Sequence, residues 1–281
     1  MQAIATQLAD ARAKLAPVAG MNAGLEARVL AAHAWGMSPE ALVLYGNAAR
    51  DVAAFAALVE RRLTAEPVAQ IVGEKDFWKD SFRVTRDVLT PRADSETVIE
   101  TLLRLRPDMS AAYRILDLGT GSGCLMLSAL REYPQAQGVA VDQSPAALAV
   151  AVDNAARLGL ASRVEMLRSE WCSNVAGTFD IILANPPYIP SADIAALDAD
   201  VRVHEPLAAL DGGADGLDCY RSILHQLNAH KKPGSLLLFE VGMGQADDVA
   251  ALGQQAGWTL LELANDLAGI SRVVALQYNS N

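Results

Sequence analysis

Arg114-Ile115-Leu116-Asp117-Leu118 is a short apolar run that passes directly into Gly119-Thr120-Gly121-Ser122-Gly123 and then into the helical stretch Cys124 to Tyr133. A strand, a glycine turn and a helix in immediate succession commit this part of the chain to a βα unit. Glycines let a ligand approach the main chain closely, and the start of the helix presents unpaired N–H groups to its polar atoms. The next run, Gln137 to Val141, ends on Asp142, nineteen positions after Gly123, where a carboxylate can take up a ribose diol. From Ala111 onward the pattern predicts strands near 113–118, 137–142, 163–167, 179–184, 234–241, 257–263 and 272–278, separated by helices. This alternation specifies an α/β doubly wound sheet, whose parallel strands bring Gly119 to Gly123, Asp142, Trp171 and Asn185 to one edge.

The spacing of the glycines narrows the ligand. A dinucleotide fingerprint needs a third glycine at position 124, which is Cys124, so the loop reads Gly-x-Gly-x-Gly and favours an adenosine without a pyrophosphate. S-adenosylmethionine is a ligand of that kind, and its sulfonium charge suits a site flanked by Asp117 and Asp142. Asp117 also reads as a turn or helix-capping carboxylate.

A second motif follows the apolar run Phe179 to Ala184: Asn185-Pro186-Pro187-Tyr188. Consecutive prolines lack backbone donors and fix their own φ, which holds neighbouring carbonyls free to accept. An Asn side-chain oxygen beside the Pro186 carbonyl makes two acceptors for the two protons of a planar –NH2. By itself such a tetrapeptide is also a strand-ending turn, and Tyr188 also reads as a core aromatic.

With these motifs, the chain resembles the protein N5-glutamine methyltransferases, and among them the peptide-chain release factor glutamine methyltransferase (HemK/PrmC-type) family. The likeness extends through Gln70 to Trp78, Val88 to Thr97, Glu205-Pro206-Leu207, Gly212-Gly213 and Asp215-Gly216-Leu217. Two departures are Ala93, where the family usually has a second proline, and Glu170, where aspartate is commoner. The resemblance implies a class I S-adenosylmethionine-dependent methyltransferase, a Rossmann-like sheet with its last strand antiparallel, and a small N-terminal helical bundle. It implies transfer of a methyl group to N5 of the glutamine in the Gly-Gly-Gln motif of class 1 peptide-chain release factors, with S-adenosyl-L-homocysteine as product. Cofactor contacts are expected from Gly119, Thr120, Gly121, Ser122, Gly123, Asp142, Trp171 and Asn185, and substrate contacts from Asn185, Pro186, Pro187 and Tyr188. For Trp171, packing beneath the sheet edge is the competing expectation. Within the catalytic group Asn185, Pro186 and Tyr188, the two acceptors hold the amide and Tyr188 packs on its plane. A glutamine of a ribosomal protein is the alternative substrate; an adenine or cytosine amine of nucleic acid, or a binding role without catalysis, are others.

Composition bears on the partners. The 33 Asp and Glu outnumber 23 Lys and Arg, giving a net charge of −10, so no basic stripe for gripping phosphates is expected. The N-terminus lacks a basic segment leading into an apolar one, and no apolar run approaches membrane length, which predicts a cytoplasmic protein with no membrane partner. Cys124, Cys172 and Cys219 lack metal-ligand spacing and read as small hydrophobes, and His33, His204, His225 and His230 receive no role.

Residues 1–64 have a helical, alanine-rich texture and are expected to form the substrate-recognition domain. Gly36 ends one helix, Ser38-Pro39-Glu40 opens the next, and Asp51 caps a helix running through Arg62. Leu25, Val29 and Ala32 are expected to form its core-facing stripe. Residues 65–90 read as a β-hairpin linker, with extended segments Val68 to Trp78 and Phe82 to Val84, and with Phe77 and Trp78 packed between the domains. Residues 91–281 form the catalytic domain. Within it, Arg92, Asp94 and Glu96 are candidates for shaping the pocket, and a helix cap by Asp94 or Ser95 is equally compatible.

Overall fold

The computed structural model describes residues 1–279 and divides into two compact units, Met1–Glu74 with Asp198–His204, and Lys75–Leu197 with the remainder of the chain from Glu205. In the first unit a two-stranded pairing of β1 (Gln2–Ala3) and β2 (Ala49–Arg50) accompanies helices α1 (Ile4–Ala19), α2 (Ala23–Trp35), α3 (Pro39–Leu44), α4 (Val52–Leu63) and α5 (Val68–Val72). The caps form as the sequence predicts. Gly36 ends α2 at φ +60, the Ser38 hydroxyl accepts from Ala41 N at 3.2 Å, and Asp51 accepts from Ala53 N at 3.2 Å. Arg62, nearly buried, pairs with Glu26 at 2.8 Å.

Two expectations for this region fail. The stripe of α2 that meets the core is Ala23, Ala27, Leu30 and Ala31, whereas Leu25 is 56% exposed. The alanine row allows α2 to lie close against α1 and α4, a proximity that a leucine row would prevent. The segment Val68–Val72 is helical, not extended: Pro67 sets its start, Gly73 at φ +83 ends it, and Ile71 joins the helical core. The hairpin is therefore shorter, β3 (Glu74–Phe77) with β4 (Asp80–Arg83).

The second unit adds α6 (Glu96–Leu105), β5 (Arg114–Leu118), α7 (Cys124–Glu132), β6 (Gln137–Asp142), α8 (Pro145–Arg157), β7 (Val164–Arg168) and β8 (Phe179–Ala184). After α9 (Ala199–His204), which belongs to the first unit, come α10 (Asp218–Gln226), β9 (Lys231–Glu240), α11 (Ala246–Gln255), β10 (Thr259–Asn265) and β11 (Ser271–Gln277). The seven-stranded sheet has the order β10-β11-β9-β8-β5-β6-β7, with β11 antiparallel to both neighbours and β9 to β7 parallel. Alternation along β8 builds two layers: Ile181 and Leu183 face the core under α6 and α7, while Ile182 and Ala184 face the one under α10 and α11. Phe77 and Phe82 of the hairpin meet edge to face, with ring centroids 6.1 Å apart, inside the first of these cores. The expected packing of Phe77 and Trp78 between domains is thus corrected: Phe77 is buried within the second unit, and Trp78 packs there with its indole N–H on Glu132 at 2.8 Å. Large aromatic area is most stabilising where water is fully excluded.

A register shift between β8 and β9 lies between Phe179 and Ile181, and Ser235 bridges it. Its fully buried hydroxyl donates to Phe179 O at 2.6 Å and accepts from Lys232 N at 2.9 Å. Replacing Ser235 with alanine strands both backbone groups, so urea denaturation of Ser235→Ala should show a loss of ~2 kcal/mol at unchanged m-value; an unshifted midpoint would show that this bridge carries no stability.

Candidate active site

The glycine loop hangs from the end of β5. Gly119 and Thr120 donate backbone N–H to Val141 O at 2.9 and 2.8 Å, which ties the loop to β6. Gly119 at φ +75 and Gly121 at φ +55 hold left-handed backbone that only glycine adopts at low cost, and a Cβ on Gly121 would meet no heavy atom within 4 Å, so the main chain there is open to a ligand. Gly123 serves differently. It lies off the cavity wall, and a Cβ there would press on Leu127 at 3.1 Å, so its absence lets α7 pack.

The Asp142 carboxylate, at the tip of β6, accepts Gly121 N at 3.0 Å and Ser144 N at 2.9 Å, which fixes it beside the loop. Asp117 is almost wholly buried and accepts the Thr120 hydroxyl at 2.6 Å and the Met126 backbone N–H in the first turn of α7. Burial pushes its carboxyl up to about 7 against these bonds, and the charge of Asp142 adds to the rise. Its capping role is therefore realised, although the residue also touches the cavity wall. Trp171 adopts φ +50, a strained value for a non-glycine residue, and its ring comes within 3.5 Å of where a Gly119 Cβ would stand.

These residues line one cavity of about 420 Å³ together with Asn185 and Pro187. Gly119, Thr120, Gly121, Ser122, Asp142 and Trp171 thus converge on it from three strand ends, while Gly123, Pro186 and Tyr188 are not on its wall. Pro186 is buried, and Tyr188 packs into the core under α10. The turn is clamped from behind. Tyr188 O accepts Gln245 Nε2 at 2.9 Å, Ile189 N donates to Leu210 O at 3.0 Å, and Gly212 N donates to Ile189 O at 2.8 Å. A Cβ on Gly212 would lie 2.8 Å from Pro187 O and from Tyr188 Cα, so the absence of a side chain at Gly212 is what allows this close approach.

The rim resolves the residues left open by the sequence. Arg92 reaches the cavity wall and donates through one nitrogen to both oxygens of the nearly buried Glu205, at 3.0 and 2.9 Å. Burial still raises the Glu205 carboxyl above its usual range, with Arg92 opposing the rise. Asp94 instead pairs with Arg272 at 3.2 Å, Glu96 accepts Trp78 N at 2.8 Å, and neither lies on the cavity wall. Ser95 does line it, and makes no capping bond to α6. Sequence reasoning missed Ser169, Cys124 and Cys219 as wall residues, since nothing in their spacing marks them. Burial pushes the Cys124 and Cys219 thiols up to about 12 and about 11, which leaves both uncharged and unreactive at neutral pH.

Comparison with known proteins identifies the family. Residues 94–202 match the methyltransferase small domain, and residues 6–73 match the PrmC N-terminal domain. A release factor glutamine methyltransferase of Cereibacter sphaeroides is 46% identical over 90% of this chain and 91% of its own length. Another, from Rhodospirillum rubrum, is 44% identical over 88% of this chain and 76% of its own. Among solved structures, the ribosomal protein L11 methylase of Lactobacillus delbrueckii subsp. bulgaricus shares the fold at 17% identity and a TM-score of 0.50, over 73% of this chain and 89% of that one. Identity at the level of the first two relatives, across most of both chains, shows that the chain belongs to the release factor glutamine methyltransferase family.

Proposed function

We propose that the protein methylates N5 of the glutamine in the Gly-Gly-Gln motif of class 1 peptide-chain release factors, using S-adenosylmethionine. The observation that carries this reading is the presence of Asn185 on the wall of the same cavity as the glycine loop, Asp142 and Trp171. Those residues fit the cofactor: an open main chain at Gly121, a fixed carboxylate at Asp142 for a ribose diol, and an indole surface at Trp171 for an apolar part of the ligand. When bound, S-adenosylmethionine supplies an electrophilic methyl group. S-adenosyl-L-homocysteine is the product that the same residues must release. The helical unit is assigned the recognition of the protein substrate.

The work of the chain's own residues is positioning. A carboxamide nitrogen has its lone pair delocalised into the carbonyl, and no side chain on this wall is basic enough to deprotonate it. We assign Asn185 Oδ1 and the Pro186 carbonyl as acceptors of the two amide protons. Such acceptors gain strength as positive charge develops on the nitrogen. The proline pair keeps the acceptors from relaxing, and the clamp by Gly212 and Gln245 keeps the whole turn in place. The Tyr188 ring, packed in the core next to the turn, is assigned to excluding water from it.

Three outcomes follow. Label from S-adenosylmethionine should appear on intact release factor, but neither on a factor whose loop glutamine is replaced nor on duplex DNA; label on the replaced factor or on DNA would overturn the assignment. Asn185→Ala should lower kcat by ~10²- to 10³-fold, the scale of losing one transition-state hydrogen bond, while calorimetry finds cofactor binding within a few-fold of the parent. Finally, Arg92→Met strands the buried Glu205 charge. Because burial raises the Glu205 carboxyl, acid neutralises it, so the variant should lose ~2 kcal/mol of stability at alkaline pH and less as pH falls toward 5; equal losses at both would remove Glu205 as the cause.

A further inference from the structure

Strands β8 and β9 run parallel with Ala184 opposite Phe239, so Asn185 and Glu240 are the next residues of adjacent strands. Ala184 and Phe239 both point into the core under α10 and α11, which sends the side chains of Asn185 and Glu240 together to the opposite face, where α6 begins. Glu240 is 3% exposed and off the cavity wall, and its Oε2 has no hydrogen-bond partner among the described residues. The Asn185 and Ser95 side chains stand close enough to this carboxylate to hold its pKa down against burial. Arg272, from β11, faces it but is engaged by Asp266 at 3.0 Å and Asp94 at 3.2 Å, so among the described residues no direct ion pair neutralises Glu240. The other titratable groups around it are Tyr188, Tyr220 on α10 and Cys124 on α7, all raised by burial and uncharged at neutral pH.

An amide presents two faces of nearly equal size, one donating and one accepting, and only its neighbours decide which points where. A carboxylate can only accept. We propose that Glu240 is a positioning residue that holds the NH2 side of Asn185 away from the cavity and thereby presents Oδ1 to the substrate amide. This inference deepens the function proposed above and rests on Asn185 acting as an acceptor. It also explains why a carboxylate is retained in a dry site that costs it hydration. Protonation of Glu240 would add a donor that can take Asn185 Oδ1 and reverse the amide. Burial brings the Glu240 carboxyl up to about 7, so the two orientations exchange within the neutral range.

The test compares Glu240→Gln with the parent in kcat, KM for release factor, affinity for S-adenosyl-L-homocysteine, thermal midpoint and pH profile. Gln presents donor and acceptor alike, so kcat should fall ~10-fold with KM and product affinity held within about two-fold, and the acid limb belonging to Glu240 should disappear. Asp117 also titrates near neutrality, but its limb survives this substitution. Parental kcat and an unchanged limb would overturn the proposal. Should Glu240→Gln not fold, Ser95→Ala decides: removing a hydroxyl that holds the carboxyl down should move the limb to higher pH, and an unmoved limb overturns it. Full turnover in Asn185→Ala would remove the acceptor reading itself, whereas loss there with retention in Glu240→Gln removes only the role of Glu240.

Discussion

The register of β8 between β5 and β9 governs where chemistry can occur in this protein. Ala184 lies opposite Leu118 on one side and Phe239 on the other, so these three residues stand at one level, and the residue after each is delivered to the same edge, with Glu240 still paired to Val273. Gly119, Asn185 and Glu240 are those residues. A shift of one position in any pair would turn every side chain of that strand to the other layer, exchanging the faces that meet α6 and α10. The buried sheet, with Ile181, Ile182, Leu183, Leu236 and Leu237 fully inaccessible, is what makes such a shift prohibitively costly.

On that edge the two halves of the site are held by different means. The glycine loop is suspended by its own amides, which donate from Gly119 and Thr120 to Val141 and from Gly121 to the carboxylate of Asp142, and what it leaves open to a ligand is the Cβ-free main chain at Gly121. The Asn-Pro-Pro-Tyr turn has few donors of its own and depends on a second layer, in which Gly212, Gly216 and Gln245 press against its carbonyls. Glycine is required there by close approach of two main chains rather than by a turn of its own, since Gly212 has no positive φ. Rigidity thus comes from outside the motif, consistent with a site whose rate depends on placement instead of a strong base.

Burial sorts the carboxylates around the cavity by task. Asp142 is anchored by two backbone donors, Asp117 is spent on the start of α7, and Glu205 anchors Arg92 at the rim. Glu240, like Asp117, is dry and without an ion pair among the described residues, but unlike Asp117 it stands off the cavity wall, behind Asn185. Desolvation raises three of these groups, and what distinguishes them is the partner that each retains.

Much of this was legible in the chain. The glycine loop, Asp142 at its spacing, the strand ends and the caps at Gly36, Ser38 and Asp51 are local signals, because a turn, a cap or a buried strand is written in neighbouring residues. The stripe of α2 and the helix at Val68–Val72 were misread for the converse reason: Leu25 is more apolar than Ala27, yet helix separation decides which row is buried, and an apolar run of five residues fits either period. Nor could the sequence by itself pair Arg92 with Glu205, 113 positions away, or bring Glu240 beside Asn185. The sequence determined which residues could make a nucleotide loop and an amide acceptor, since that depends on residue chemistry and short spacing. The tertiary structure alone decided which carboxylate stands behind the amide, because strand order and burial, not proximity along the chain, set its neighbours and its charge.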